Sequence, residues 1–335
     1  MNVDCYSSWE AIGDALTLGE RGWNALVARS QAPVPFLTWQ FQTTWSRRFV
    51  DGPLHLLAAR DGAGEWVGAL PLFETPSTEG PVLRLCGGVD VADYLDLVAV
   101  AGREEEVWKA FLPALVERTW QTLDLRPIAA SSATASLLPG LAESVGLACR
   151  VERDDRCPVI ALPGSWDDYL AGLSGKDRHE LRRKLRRAET GRPHLEMART
   201  PSAVAALMDG FLALHRKSKL GKARFMNEQM EAFFREIATL LASAGTVALW
   251  MLWLEERPAA ALFCLEYDGT VGLYNSGFDP GARALSPGVI LIARTIADAI
   301  ARGFRRYDFL RGDEPYKYGF GATPTDVLRL TLERA

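Results

Sequence analysis

The order of apolar runs in the second half of the chain constrains the fold more than any other feature of the sequence. Three strand-like runs, Val247–Leu254, Ala259–Tyr267 and Thr270–Gly277, are separated by short turns. Runs of this kind predict an antiparallel meander. A helix predicted over Gly288–Arg302 and a strand predicted over Arg306–Leu310 follow it. A meander that leads into a helix and then into another strand indicates an α+β fold.

The first half of the chain repeats this order of elements. The hairpin predicted from Leu56 to Phe73 corresponds to the segment from Leu249 to Glu266. In each half a helix then leads into a short strand with Asp at its second position, Leu123-Asp124-Leu125 and Tyr307-Asp308-Phe309. The spacing between the pieces differs between the halves, so the pattern indicates a duplicated domain and not a solenoid.

A link that contains Pro163 and Gly164 separates the two halves. Links of this composition are typical of domain boundaries, and a chain of 335 residues is long enough for two domains. We therefore predict an N-terminal domain over residues 1–163 and a C-terminal domain over residues 164–335. A last strand, predicted over Val327–Leu332, closes the chain within the C-terminal domain.

Composition argues against several classes of protein. The net charge of -4 argues against general nucleic-acid binding. No apolar run reaches the roughly 20 residues that span a bilayer, and the segment from Met1 to Glu20 lacks the basic start and apolar core of a signal peptide. The five cysteines and four histidines show no metal-ligand spacing. We expect a cytoplasmic protein with no metal and no disulfide framework.

A strongly basic stretch lies in a helix predicted from Trp166 to Glu189. Seven Lys or Arg residues fall between Lys176 and Arg187. Of these, Arg178, Arg182 and Arg186 lie four residues apart and share one face of the helix. Such a face repels itself, so we expect it to meet an anion: CoA phosphates, a nucleotide-sugar or lipid phosphate, tRNA, or a membrane surface. A solvated charged face is the alternative.

The start of the helix after the meander is a second candidate anion site. Ser286 suits the N-cap position and Pro287 suits the first helical position. Free backbone N–H groups at a helix start bind phosphate, and Arg283 and Gly288 flank this start. A plain helix cap without a ligand is the alternative.

Five motifs together resemble a known group of proteins. They are the basic run at 174–187, Phe211–His215, Tyr274–Pro280, Leu285–Gly288 and Asp308–Lys317. In order and spacing they are similar to the CelD-like group of GNAT-superfamily acetyltransferases, which is associated with cellulose biosynthesis and related to the Fem-type aminoacyl transferases. The resemblance covers about residues 165–335, with a looser match over residues 35–73.

The resemblance implies tandem GNAT-like (acyl-CoA N-acyltransferase) domains of the α+β class, each with a mixed central sheet flanked by helices, the C-terminal one carrying the donor site. It also implies transfer of an acyl group from acyl-CoA, as co-substrate, to an amine or hydroxyl of a lipid, sugar or cell-envelope precursor by direct attack. A small-molecule or lipid acceptor is expected, with peripheral contact at the inner face of the membrane. GNAT enzymes usually bind the CoA pyrophosphate with a loop of the form Q/R-x-x-G-x-G/A. The region from Gly281 to Gly288 has Arg283 and two glycines but not that spacing.

The resemblance and the residue types together give candidate roles. Acyl transfer needs a base that takes the acceptor's proton and donors for the tetrahedral intermediate. Glu314 is the candidate base, and Lys317 or Tyr316 is the candidate donor to the oxyanion or the leaving group, with solvated charges on a surface loop as the alternative. His215, at the end of a helix, is a candidate proton acceptor because histidine titrates near neutrality, with an interaction with the helix dipole as its alternative role. Asp308 completes the catalytic set, with helix or strand capping as its alternative role.

Two further sets are predicted to bind ligands. The candidate donor-binding residues are Tyr274, Arg283, Ser286 and Gly288. The candidate acceptor-binding residues are Arg178, Arg182, Arg311 and Tyr316.

Two alternatives remain open from the sequence. The first is a Fem-type transferase whose donor is an aminoacyl-tRNA, with the basic helix along the RNA backbone. The second is a non-catalytic binding protein in a polysaccharide or lipid assembly, which the departure from the usual Gly-rich loop favours.

Overall fold

The structure, a computed structural model, describes residues 1–15 and 19–334 and divides into two compact units. The first unit consists of residues 1–156 together with the chain from Thr325 onward, and the second is Cys157–Pro324. The sequence-based division falls at residue 163, so it differs from the compact units at the link and in the assignment of the last strand.

The first unit contains a sheet and five helices within its described residues. Its elements in chain order are β1 (Asn2–Tyr6), α1 (Trp9–Ala15), α2 (Glu20–Ala28), α3 (Trp39–Phe49), β2 (Leu54–Arg60), β3 (Trp66–Thr75), β4 (Val82–Leu85), β5 (Val98–Ala99), α4 (Glu104–Val116), β6 (Thr122–Ala129), α5 (Ala133–Glu143) and β7 (Leu147–Ala161), the last of which continues into the second unit.

The sheet of the first unit runs β1-β2-β3-β4-β6-β13, where β13 is Thr323–Arg334. Neighbouring strands are antiparallel except for β4 and β6, which are parallel. The last strand of the chain therefore completes the first sheet, because Val327–Glu333 pairs with Thr122–Ala129. No local signal in the sequence reports this pairing, since its partners are about 200 residues apart.

The second unit holds the meander predicted from the sequence. Its elements are α6 (Trp166–Gly172), α7 (Gly175–Ala188), β8 (His194–Ala198), α8 (Pro201–Ser218), α9 (Leu220–Phe225), α10 (Glu228–Ser243), β9 (Val247–Leu254), β10 (Arg257–Tyr267), β11 (Thr270–Phe278), α11 (Pro287–Ala301), β12 (Arg306–Asp308) and α12 (Pro315–Tyr318).

The sheet of the second unit runs β8-β9-β10-β11-β12-β7. The pairs β8–β9, β9–β10 and β10–β11 are antiparallel, the pair β11–β12 is parallel, and the pair β12–β7 is antiparallel. This is the strand arrangement of the first unit, with β7 in the place that β13 takes there. The duplication predicted from the sequence is confirmed by this shared topology, and so is the α+β class.

The second unit is held together by an apolar core between its sheet and helices. Helix α11 buries Ile290, Leu291 and Ile296 in a cluster that also contains Leu262 and Tyr307. The Tyr307 hydroxyl lies 2.9 Å from Thr295 Oγ1, so its polar atom is satisfied inside the core. The apolar residues of α11 therefore form the face that packs on the sheet.

The helix predicted over residues 166–189 is wrong in one respect, because it is two helices. Leu173 has an extended backbone, and the next residue, Ser174, caps α7 by accepting a hydrogen bond from the Asp177 N–H at 3.1 Å. A serine that caps a new helix ends the preceding one, since its own backbone is not helical.

Among the helices of residues 1–15 and 19–334, none has both the length and the apolar character that a membrane span requires.

We predict that Gly277→Ala destabilises the protein. A Cβ at Gly277 would overlap the backbone of Leu214 and His215, where α8 packs directly on β11. Overpacking of this kind typically costs about 1–3 kcal/mol. The thermal midpoint and the free energy of unfolding of the variant measure the effect.

Gly140→Ala is the matched control. Gly140 lies in α5 with nothing within 4 Å of a Cβ, so alanine should be neutral or stabilise by up to about 1 kcal/mol. Equal thermal midpoints for the two variants would show that α8 does not pack on β11 as described.

Candidate active site

The edge of β11 that faces β12 is open beyond its first three residues. The two strands pair only at Thr270–Arg306, Val271–Tyr307 and Gly272–Asp308. Among the described residues, no strand pairs with that edge over residues 273–278. Unpaired N–H and C=O groups on a strand edge can bind an extended ligand as an added strand.

A bulge lies within the open part of β11. Phe263 of β10 pairs with Asn275, and the adjacent Cys264 pairs with Leu273, which leaves Tyr274 as the extra residue. A bulge re-aims the backbone groups around it and interrupts the ladder. The open edge therefore presents backbone groups in two different directions.

The first unit closes the corresponding position with its own chain. There β4 ends at Leu85, and residues 86–97 loop out before β5 rejoins β3 at Val98 and Ala99. Within this insertion the Leu95 N–H donates to Pro127 O on β6 at 2.8 Å. Within the described residues, this bond joins the insertion to β6 in the first unit, whereas β11 of the second unit keeps an unpaired edge over residues 273–278.

The loop after β12 is shaped by Lys317. The Nζ atom of this buried lysine donates to the carbonyl oxygens of Leu310, Arg311 and Gly312 at 3.1, 3.2 and 2.8 Å. It also lies 2.9 Å from Glu314 Oε2. Four acceptors surround a group with three N–H bonds, so Lys317 fixes the loop in place.

Asp308 is the last residue of β12, and Glu314 ends the loop that follows, directly before α12. The buried Asp308 accepts a hydrogen bond from the Leu310 N–H through Oδ1 at 2.7 Å, which supports the left-handed backbone of Leu310 (φ 54°). The Glu314 side chain is half exposed. Of the two carboxylates, Glu314 is the one that a substrate can reach.

His215 is buried beneath β11. Its Nε2 lies 2.9 Å from Asn275 Oδ1, which assigns the proton to Nε2. Its Nδ1 is buried and has no hydrogen-bond partner among the described residues. Burial lowers the pKa of His215 to about 4, the charges of Lys222 and Arg216 act in the same direction, and the bond to Asn275 opposes them. The pKa therefore lies below the near-neutral range expected from the sequence, and the neutral ring orients the Asn275 side chain on β11.

Lys222, on the short helix α9, is not among the site residues predicted from the sequence. Its Nζ donates to Ser276 O and, at 3.2 Å, to Ser276 Oγ, on the open part of β11. Burial lowers the pKa of Lys222 to about 8, Lys219 and Lys317 act in the same direction, and Glu314 opposes them. In the sequence this lysine is one of several basic residues around position 220, and nothing in the pattern separates it from them.

The two candidate tyrosines are placed differently. The Tyr274 ring is buried, stacked on Phe234 with ring centroids 5.5 Å apart and edge-on to Phe263. Its ring therefore belongs to the core, while its backbone lies at the bulge. The Tyr316 side chain is exposed beside Phe309, next to the loop that carries Glu314.

The start of α11 confirms the predicted positions of Ser286 and Pro287 at N-cap and first helical residue. However, Ser286 adopts the left-handed region (φ 54°) and its side chain makes no capping bond, so the first N–H groups are not satisfied by it. Space around Gly288 is open to a Cβ, and Arg283 is exposed in the 3-10 turn at Pro280–Leu285.

The basic helix α7 packs against α11 and against that turn. Arg178 donates to Ala171 O at 3.2 Å and so caps the preceding helix, while Arg182, Arg186 and Arg187 are exposed. Arg183 and Lys184 instead pair with Glu180 on the same helix. The exposed arginines therefore lie on a helix that packs against α11 and against the turn before it.

Two groups of predicted residues therefore form. The first group lies in the segment from the end of β12 to α12 and consists of Asp308, Arg311, Glu314, Tyr316 and Lys317. The charge of Lys222 interacts with Glu314 and Lys317 of this segment and with His215, and its Nζ donates to Ser276. Arg283, Ser286 and Gly288 form the second group, with α7 beside it. Within the described residues, no group of three or more His, Cys, Asp or Glu side chains could hold a metal ion.

Comparison with known families places this site in a defined domain. Residues 175–318 match the model of the family described as Acetyltransferase (GNAT) domain. The matched segment runs from α7 to α12 and includes the open edge of β11 and the loop after β12. Among curated proteins, none matches the chain.

Solved structures with the same fold cover almost the whole chain. FemX is 11% identical with a TM-score of 0.68, over 98% of this chain and 97% of its own. The C-terminal domain of a protein described as a lysylphosphatidylglycerol synthetase from Agrobacterium fabrum is 11% identical with a TM-score of 0.58, over 97% and 92%. A tandem GNAT protein from the clavulanic acid biosynthesis pathway is 14% identical with a TM-score of 0.50, over 100% and 98%. These likenesses show a tandem GNAT fold.

We predict that His215 makes the protein less stable in acid. Its pKa is about 4 when folded and about 6.5 when unfolded, so the unfolded chain binds the extra proton first. Its contribution is complete above pH 6.5 and is lost as the pH falls towards 4, by about 3 kcal/mol in all. Unfolding free energies of the wild type and His215→Gln across this range measure the difference, and parallel pH curves would contradict the buried neutral ring.

Proposed function

We propose that the protein is an acyltransferase whose second unit holds an activated acyl donor along the open edge of β11 and passes the acyl group directly to an amine or hydroxyl. The observation that carries this proposal is the parting of β11 and β12 after three paired residues, inside the segment that matches the GNAT acetyltransferase family.

Acyl-CoA is the donor that best fits the two groups of residues. The amide groups of its pantetheine arm can hydrogen-bond to a strand edge, as an added strand does. Its phosphates then have two matching features, the N–H groups at the start of α11 and the exposed arginines of α7. Arg283 lies between them in the turn before α11.

Direct attack is the mechanism that these side chains support. Glu314, exposed at the rim of the loop, is the base that takes the proton from the acceptor. A covalent intermediate on Cys264 is disfavoured because this thiol is fully buried in β10 and burial raises its pKa. The acceptor nitrogen or oxygen therefore attacks the acyl carbonyl itself.

The acceptor is proposed to be a lipid, sugar or other cell-envelope precursor. The resemblance to the CelD-like group supports this range, and so does the likeness in fold to a protein described as a lysylphosphatidylglycerol synthetase. A lipid acceptor would bring the protein to the inner face of the membrane, where the arginine face of α7 meets anionic headgroups.

Aminoacyl-tRNA is the second candidate donor. The likeness in fold to FemX and the absence of the usual Gly-rich spacing between Gly281 and Gly288 favour it. The exposed face of α7, which includes Arg182 and Arg186, would then follow the RNA backbone.

Thermal stability with CoA, acetyl-CoA and palmitoyl-CoA tests the donor. A ligand that binds the native state at about 100 times its dissociation constant adds about 2.7 kcal/mol. We expect a raised midpoint that is lost in Arg283→Ala and retained in Arg150→Ala, an exposed arginine of the first unit. No shift with any of the three compounds would contradict an acyl-CoA donor.

Salt dependence separates the second donor from the first. If the donor is a tRNA, its affinity falls steeply with salt, and each lost phosphate contact reduces the slope of log K against log salt by about one. Arg182→Glu should then weaken binding of aminoacyl-tRNA and flatten that slope. An affinity that does not change with salt would exclude the tRNA donor.

A further inference from the structure

Lys222 lies at the centre of the candidate site although no motif includes it. Its Nζ bonds Ser276 on the open part of β11, and its charge acts on His215 from α8 and is acted on by Glu314 and Lys317 from the loop after β12. Ser276 lies two residues beyond the bulge at Tyr274. Lys222 thus borders the open edge of β11, along which the acyl donor is proposed to bind.

The partly buried Lys222 and the buried Lys317 differ in the number of hydrogen-bond acceptors around Nζ. The three N–H bonds of Lys317 meet three carbonyl oxygens and the Glu314 carboxylate. Lys222 has two acceptors, Ser276 O and Ser276 Oγ, and no third one among residues 1–15 and 19–334. One N–H of Lys222 is therefore available to a ligand, whereas those of Lys317 are all used.

We propose that the Lys222 ammonium donates a hydrogen bond to the oxygen of the tetrahedral intermediate and is a catalytic residue of the acyl transfer. The inference rests on the proposed function and deepens it. A donor held in place by Ser276 before the reaction needs no reorganisation when the charge develops, which is the property that makes such donors effective.

The reaction balances with the groups named. The acceptor nitrogen forms the new bond to the acyl carbon with its lone pair, and the carbonyl π electrons move to oxygen, where Lys222 stabilises the charge. Glu314 takes one proton from the nitrogen. The C=O bond then re-forms, the bond to the carrier breaks, and the carrier's sulfur or oxygen leaves with the electron pair. The proton that Glu314 took passes to this leaving group, which restores the carboxylate.

The charge on Lys222 gives this role a signature in pH. The pKa of about 8 means that the ammonium is lost as the pH rises through that value, so turnover should fall above pH 8. The groups that face it are Lys219, His215, Glu314 and Lys317. Lys219→Ala removes a neighbouring positive charge and should move the fall to higher pH.

The test uses hydroxylamine as a general amine acceptor, with palmitoyl-CoA and aminoacyl-tRNA as donors, on the full chain. Lys222→Met should lower kcat about 100-fold without changing donor Kd. Lys222→Arg keeps a cation that does not titrate, so it should retain part of kcat and lose the fall above pH 8. Arg224→Met, exposed on the same helix, is the matched control and should keep wild-type kcat.

Three results would overturn the role of Lys222 alone: wild-type kcat in Lys222→Met, a loss explained by donor Kd, or a fall above pH 8 that survives in Lys222→Arg. If Lys222→Met does not fold, the pH profile of Lys222→Arg decides. A wild-type protein that forms no hydroxamate from either donor would instead overturn the proposed function, and the role of Lys222 with it.

Discussion

The parting of β11 from β12 is the constraint on which the candidate site depends. Three residue pairs hold the strands parallel, and beyond them Leu310 turns through the left-handed region and packs beside Gly272. Lys317 then gathers three carbonyl oxygens of the following loop. One strand edge stays open because its neighbour is turned away and fixed, and the charged groups collect around that edge.

The two units share a sheet topology but differ beside the fourth strand of each sheet. Both sheets have the same order of strands and the same parallel pair. In the first unit, residues 86–97 fill the gap beside β4 and bond to Pro127 on β6. Both units keep the apolar strands of the sheet, and within the described residues they differ in what lies beside the fourth strand of each sheet.

Much of the fold follows from local sequence, and less of the site does. The meander, α11 and β12 could be predicted because apolar period and turn residues act within short stretches, and the Asp308–Lys317 loop because its residues are adjacent. The pairing of β13 with β6 could not be predicted, since strands about 200 residues apart show no local sequence pattern of their pairing. Nor could Lys222, because a lysine that bonds a distant strand has the same sequence context as a solvated one.

Hydrogen–deuterium exchange with a non-reactive thioether analogue of acyl-CoA tests whether the acyl donor binds along β11. If the donor lies along β11, exchange should slow over residues 273–278 and at the start of α11, and stay unchanged over residues 82–99 of the first unit. The same experiment with a non-hydrolysable aminoacyl-tRNA analogue covers the second donor. Protection at residues 82–99 would contradict a donor site on β11. So would exchange at residues 273–278 that neither bound analogue slows.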